Sequence, residues 1–122
     1  MKLQESGENY LETILILFQK SAHVHSIDVA NHMGFSKPSV SRAMGILRRA
    51  GYIEIDTKGH ITFTESGRQK AESVYERHEL LAKYLMLIGV SEMTARQDAC
   101  RIEHFISEET FSKIKEHATK GL

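Results

Sequence analysis

Apolar positions along this 122-residue chain follow two periods, helical at both ends and alternating briefly between them. Residues 5 to 19, "ESGENYLETILILFQ", place Leu11, Ile14, Leu15 and Phe18 on one face of a first helix, with Asn9 and Glu12 three apart on another. The stretch "SIDVANHMGFSKPSVSRAMGILRRAG" predicts two short helices with a tight break. Ser26 can cap the first, which runs to His32 or Met33, and Gly34 is placed to end it. Ser36 opens the second, with Pro38 tolerated in its first turn and Gly51 closing it. Val40, Met44 and Leu47 repeat at i, i+4 and i+7 and face inward, which turns Ser39 and Arg42 outward. The period then changes to two: "YIEID" and "HITFT" flank "TKG", a short β-hairpin with Gly59 in its turn. Thr64 can cap a long helix from about Glu65 to Ile88, Gly89 stops it, Ser91 starts a helix containing "ACRIEH", and Ser107 starts a last one.

Helix–turn–helix followed by a hairpin is the winged-helix arrangement. The fold class expected is mainly α with a small hairpin: a winged helix-turn-helix DNA-binding domain, then a helical domain. Charge supports this locally. The whole chain is neutral, with 16 acidic and 16 basic residues, but Ser36 to Lys70 carries seven basic residues against three acidic ones. Ser36, Lys37, Pro38, Ser39, Ser41 and Arg42 on the second short helix, with Lys58 in the wing, form the expected DNA-binding set. The helix enters the major groove, where Arg42 suits guanine, while Lys58 tracks phosphates. A generic helical domain with a solvated charged face is the alternative. Beyond Leu80 the apolar side chains outnumber what a helix and two short partners can hide, which predicts a homodimer interface through Leu81, Tyr84, Leu85 and Ile88. Two-fold symmetry also suits a palindromic operator in double-stranded DNA. One cysteine forms no internal disulfide, and neither a signal peptide nor a membrane-spanning apolar run is found, so a cytoplasmic protein without membrane partners is expected.

Candidate chemistry concentrates in "CRIEH", where Cys100, Glu103 and His104 stand at i, i+3 and i+4. On one helical face they offer a thiol, a carboxylate and an imidazole, either as arms of a metal site or as a surface helix with one buried cysteine. The remaining histidines, His23, His25, His32, His60 and His117, are read as surface or structural; His23 and His25, two apart, would share a metal poorly on a helix. Glu79, about 100° around the helix from His78, is read as a solvated charge.

"ENYLETILIL", "SVSRAMGILRRAGYIE", "RHELL" and "ACRIEHFIS", in this order and spacing, resemble the metal-dependent repressors of the diphtheria toxin repressor and manganese transport regulator family, in a short form without the SH3-like domain that longer members append. The resemblance spans roughly Glu8 to Ile114. It implies a DNA-binding domain over residues 1–64, a metal-binding and dimerisation domain over 65–122, and a metal site whose occupancy licenses operator binding. By that resemblance Glu12, His78, Cys100, Glu103 and His104 are metal ligands. Asn9 falls where the manganese branch has Asp and the iron branch has Met, and offers only a neutral carbonyl. Cys100 falls where the iron branch has Cys and the manganese branch has Glu. The iron branch's ancillary site meets Ala82 and Arg96 here. The cofactor implied is a divalent transition metal, Fe²⁺ or Mn²⁺, with Co²⁺ and Zn²⁺ able to substitute in vitro.

The function expected is therefore a metal-responsive repressor of iron or manganese uptake genes, and not an enzyme. A metal-independent winged-helix regulator, a protein-binding adaptor and a small metal-dependent hydrolase are the rivals. The last lacks a nucleophile motif or a general base beyond the ligands themselves.

Overall fold

A computed structural model describes residues 5–120. It contains α1 (Glu5–Lys20), α2 (Ser26–Met33), α3 (Lys37–Arg49), strands β1 (Ile53–Ile55) and β2 (Ile61–Phe63), α4 (Glu65–Leu87), α5 (Glu92–Ile102) and α6 (Glu108–Thr119). The chain forms two compact units, one ending at Glu72 and one beginning at Ser73, so the division falls inside α4. No described helix is long and apolar enough to cross a membrane.

In the first unit the apolar stripes expected from the sequence meet in one core. Leu11 and Ile14 of α1, Val29 of α2, Val40, Met44 and Leu47 of α3, and Ile53 and Ile61 of the hairpin are all buried. Burying each such side chain contributes on the order of 1.5–3 kcal/mol. Ser36 caps α3 by accepting the Ser39 N–H, and Gly34 ends α2 at φ 73°, a left-handed geometry that glycine adopts without strain. The α2 cap falls one residue earlier than expected. His25, not Ser26, is the N-cap, and its own N–H donates to the Asp28 carboxylate at 2.8 Å.

The hairpin pairs Ile53 with Phe63 and Ile55 with Ile61. Its turn is closed by Asp56, whose Oδ1 accepts the Lys58 and His60 N–H groups at 2.8 and 2.9 Å. The His60 N–H, ahead of the other contacts, holds the Asp56 carboxyl below its ordinary value. Residues 22–25 run beside β2, with the Ile61 N–H donating to the Val24 carbonyl at 2.8 Å.

The second unit is built on Leu81, Ala82 and Ala99, with Met86, Ile106 and Ile114 packed against them. Leu81 is 2% exposed, so it is consumed inside its own unit and offers little to a partner chain. Among the described residues, Leu87, Ile88, Met93, Ile102 and Phe105 are the large apolar side chains that stay exposed there.

Thr64 caps α4 as expected, accepting the Gly67 N–H at 3.0 Å. A Cβ at Gly67 would fall 1.7 Å from the Tyr52 carbonyl oxygen, which already accepts the Thr64 N–H. Backbone faces backbone there, so neither side can yield cheaply. Gly67→Ala should therefore destabilise by at least the upper end of the overpacking range of about 1–3 kcal/mol. Gly45→Ala, whose Cβ would meet only the Arg49 guanidinium at 3.5 Å, should be neutral or stabilising. Urea midpoints of the two variants check this, and equal midpoints would contradict the close approach.

Candidate metal centre and nucleic-acid interface

The side chain of Glu103 has no solvent exposure, although it stands at the C-terminal cap of α5. Its Oε2 lies 2.9 Å from Nδ1 of His78 on α4, and its Oε1 lies 3.2 Å from Nε2 of His104. The two imidazoles are themselves 19% and 1% exposed. A carboxylate withdrawn from water is costly unless its oxygens are satisfied; here Oε2 meets the His78 ring, while Oε1 makes no hydrogen bond although His104 Nε2 stands nearby. Two imidazoles and one carboxylate, drawn from two elements of one unit, form a donor set suited to a divalent transition metal. Such a metal would replace the proton shared by His78 and Glu103 and would give the unsatisfied Glu103 Oε1 a cationic partner.

This arrangement depends on a helix ending early. The sequence reading carries α5 through Glu103 and His104, but α5 stops at Ile102 and residues 103–105 form a turn. Two groups compete with continuation. Ser107 takes an extended conformation (φ −72°, ψ 158°) to cap α6, accepting the Thr110 N–H. Arg77 donates to the carbonyls of Glu103 and Ile106 at 3.4 and 3.1 Å, pairs with Glu108, and lies over the Phe111 ring at 5.1 Å. It thus satisfies carbonyls that an ending helix leaves open. Sequence reasoning missed Arg77. Its only signal was adjacency to His78, and nothing in local spacing says that it reaches the turn after α5.

The other expected ligands are placed as follows. Cys100 is exposed on α5. In the first unit, Glu12 is buried on α1 at 8% exposure, and Asn9 is half-buried. Glu79 is not a merely solvated charge: it pairs with Arg96 at 3.4 Å, and Arg96 also reaches Glu92 at 3.3 Å. A guanidinium therefore stands as the fixed cation between α4 and α5 at the ancillary positions. Tyr84 and Leu85 are half-buried, and the Tyr84 hydroxyl lies 3.2 Å from His117 Nδ1.

On the first unit, Lys37, Pro38, Ser41 and Arg42 of α3 and Lys58 of the hairpin turn are exposed, as a reading face requires. Ser36 and Ser39 are partly committed to each other, with Oγ atoms 2.8 Å apart. Ile46 and Arg49 extend the exposed face by further turns. Ile46 is 52% exposed and was not singled out in the sequence; an apolar side chain there can meet a thymine methyl group.

A winged helix with a basic exposed helix, and a helical unit with a buried imidazole–carboxylate cluster, define a metal-dependent DNA-binding transcriptional regulator. The chain belongs to the iron-dependent repressor family: residues 2–61 match the family's N-terminal DNA binding domain, and residues 64–120 match its metal binding and dimerisation domain. It is 32% identical over 112 residues to the transcriptional regulator MntR of Escherichia coli, covering 92% of this chain and 72% of that one. The HTH-type transcriptional regulator MntR of Geobacillus kaustophilus is 31% identical over 109 residues, covering 89% and 77%. Among solved structures, the manganese regulator SloR aligns with a TM-score of 0.81 at 22% identity, covering 98% of this chain and 55% of that one. A manganese-dependent transcriptional repressor in complex with manganese aligns with a TM-score of 0.80 at 24% identity, covering 91% and 51%. This chain thus spans about half the length of those two solved chains.

Arg77→Ala should cost about 2 kcal/mol or more even without metal, because the carbonyls of Glu103 and Ile106 and the Glu108 carboxylate lose a charged donor. Chemical denaturation of the metal-free protein measures this; an unchanged midpoint would remove Arg77 as the organiser of the turn.

Proposed function

We propose that this chain is a cytoplasmic, homodimeric repressor of metal-ion uptake genes that binds a palindromic operator when a divalent metal is held. The observation that carries the reading is the buried Glu103 carboxylate set between His78 and His104, in a chain whose other unit is a winged helix. Residues 1–64 bind DNA in this reading, and residues 65–122 bind metal and dimerise. His78, Glu103 and His104 form the core of the ligand set, and Glu12, Cys100 and the carbonyl of Asn9 add to it. Mn²⁺ and Fe²⁺ are the cognate candidates, and the similarity to MntR proteins supports Mn²⁺. The exposed Leu87, Ile88, Met93, Ile102 and Phe105 support a subunit interface on the second unit, continuing the apolar face of Tyr84 and Leu85.

When bound, the metal supplies positive charge and a fixed coordination geometry to the ligand set. The chain's own residues then do the rest. Glu12 on α1 would add a donor from the DNA-reading unit to that ligand set, and in this reading the spacing of the two reading helices would then depend on metal occupancy. Ser36 and Lys37 at the start of α3 and Lys58 in the wing hold phosphates, and Arg42 reads a base edge. Linkage makes the effect reciprocal: operator tightens metal binding by the factor that metal tightens operator binding.

Titrating metal-free protein with Mn²⁺, anaerobic Fe²⁺ and Zn²⁺, while following operator DNA by fluorescence anisotropy, tests the reading. Glu103→Ala and His104→Ala should abolish the response to every metal. Cys100→Glu should shift preference toward Mn²⁺ over Fe²⁺ and Co²⁺, since Mn²⁺ favours carboxylate oxygen. DNA binding that is indifferent to chelator would overturn the proposal. Arg42→Ala should cost about 1–3 kcal/mol on a specific site and relax base preference there. Lys58→Ala should weaken all sequences alike and lower the salt slope by about one phosphate contact.

A further inference from the structure

Three histidines that the metal-dependent reading does not use come together on the first unit. The His60 ring stacks on His23 with centroids 4.7 Å apart, and meets His25 edge-on at 4.5 Å. The sequence reading set His23 and His25 aside because residues two apart diverge on a helix. They are not on a helix. Residues 21–25 precede α2, the Ser21 hydroxyl donates to the His23 carbonyl, and His25 is extended at φ −118° and ψ 164°. In extended chain, neighbours point to opposite faces and residues two apart share one. Val24 turns into the core at 1% exposure, which sends His23 and His25 outward together. The Ile61 N–H to Val24 carbonyl bond sets β2 alongside, and buried Ile61 leaves its neighbour His60 on the same outer face.

One of the three rings is also oriented by a carboxylate, and a second has one beyond hydrogen-bond distance. Nδ1 of His60 lies 3.2 Å from Asp56 Oδ2, and Nδ1 of His25 lies 3.7 Å from Asp28 Oδ2. A carboxylate on one ring nitrogen fixes the tautomer and the ring orientation, the support that metal-binding histidines commonly have. Asp56 is itself pinned by the Lys58 and His60 N–H groups. The rings stack rather than converge on one point. The side chains of His25 and His60 are 38% and 27% exposed and His23 is exposed, so rotation about their χ angles meets little packing.

The geometry points to a second metal site, formed by His23, His25 and His60 at the base of the wing, that takes an imidazole-preferring ion such as Zn²⁺. Nitrogen donors without thiolate or first-rank carboxylate suit Zn²⁺, and suit Mn²⁺ poorly. An ion there would cross-link the segment entering α2 to the hairpin that carries Lys58, so the wing would be held from its root. The assignment stands apart from the ligand set around Glu103 and survives or fails without it.

The test uses the tag-free full chain, Zn²⁺ alone and Mn²⁺ alone. Equilibrium dialysis with elemental analysis should find one more Zn²⁺ per chain in the unsubstituted protein than in His60→Gln, and no such difference for Mn²⁺. Ring resonances of His23, His25 and His60 should shift with Zn²⁺ while those of His32 and His117 do not. Asp56→Asn, which keeps an acceptor for the turn amides but loses the charge behind His60, should weaken this Zn²⁺ by about 10–100-fold. Glu103→Ala should keep this ion while losing the metal response of DNA binding, which separates the two sites. Equal Zn²⁺ stoichiometry in the unsubstituted protein and His60→Gln would overturn the site, as would silent rings at His23, His25 and His60.

Discussion

A carboxylate sealed from water is costly wherever an oxygen lacks a partner, and the second unit is arranged around that constraint at Glu103. His78 answers Oε2 from α4, and His104, in the turn just past α5, stands 3.2 Å from Oε1 without a hydrogen bond to it, so the separation of the two segments sets the environment of the charge. Arg77 holds the same turn from one residue upstream of His78. Ligand set and scaffold are thereby coupled: anything that takes the place of protons between Glu103 and its histidines acts on the packing of α4 against the turn. A buried cluster of this kind is a weak source of stability and a strong determinant of geometry, which is the property a metal-responsive regulator requires.

The first unit divides one helix between two tasks. Val40, Met44 and Leu47 anchor α3 in the core, and this fixes its rotation; Ser41, Arg42, Ile46 and Arg49 are exposed as a consequence. The hairpin is tied to the same core through Ile53 and Ile61. Gly67 lets the start of α4 lie directly on the Tyr52 backbone. The α3 helix and the hairpin are therefore held by packing rather than by charge, and Arg42 and Lys58 stay exposed.

The histidines divide according to backbone conformation. His78 and His104 meet a carboxylate in the interior, whereas His23, His25 and His60 gather on an outer face because the chain entering α2 is extended. The same residue type thus makes two clusters of different character. One is buried with mixed oxygen and nitrogen donors. The other is solvent-facing, nitrogen-rich and backed by Asp56.

The sequence by itself determined the order of elements, their caps at Ser36 and Thr64, the inward and outward faces of α3, and the hairpin with Gly59 in its turn. These rest on local periodicity and on backbone preferences that act within a few residues. Cys100, Glu103 and His104 were legible as a candidate trio from their types and spacing, and His78 only through the resemblance that "RHELL" carries. Tertiary structure alone decided that α5 ends before Glu103, since the competing donor is Arg77, far away in the chain. It also placed Leu81 inside its own unit, paired Glu79 with Arg96, and gathered His23 and His25 against His60. In each case the deciding partner comes from another segment, and a one-dimensional pattern does not encode which segments meet.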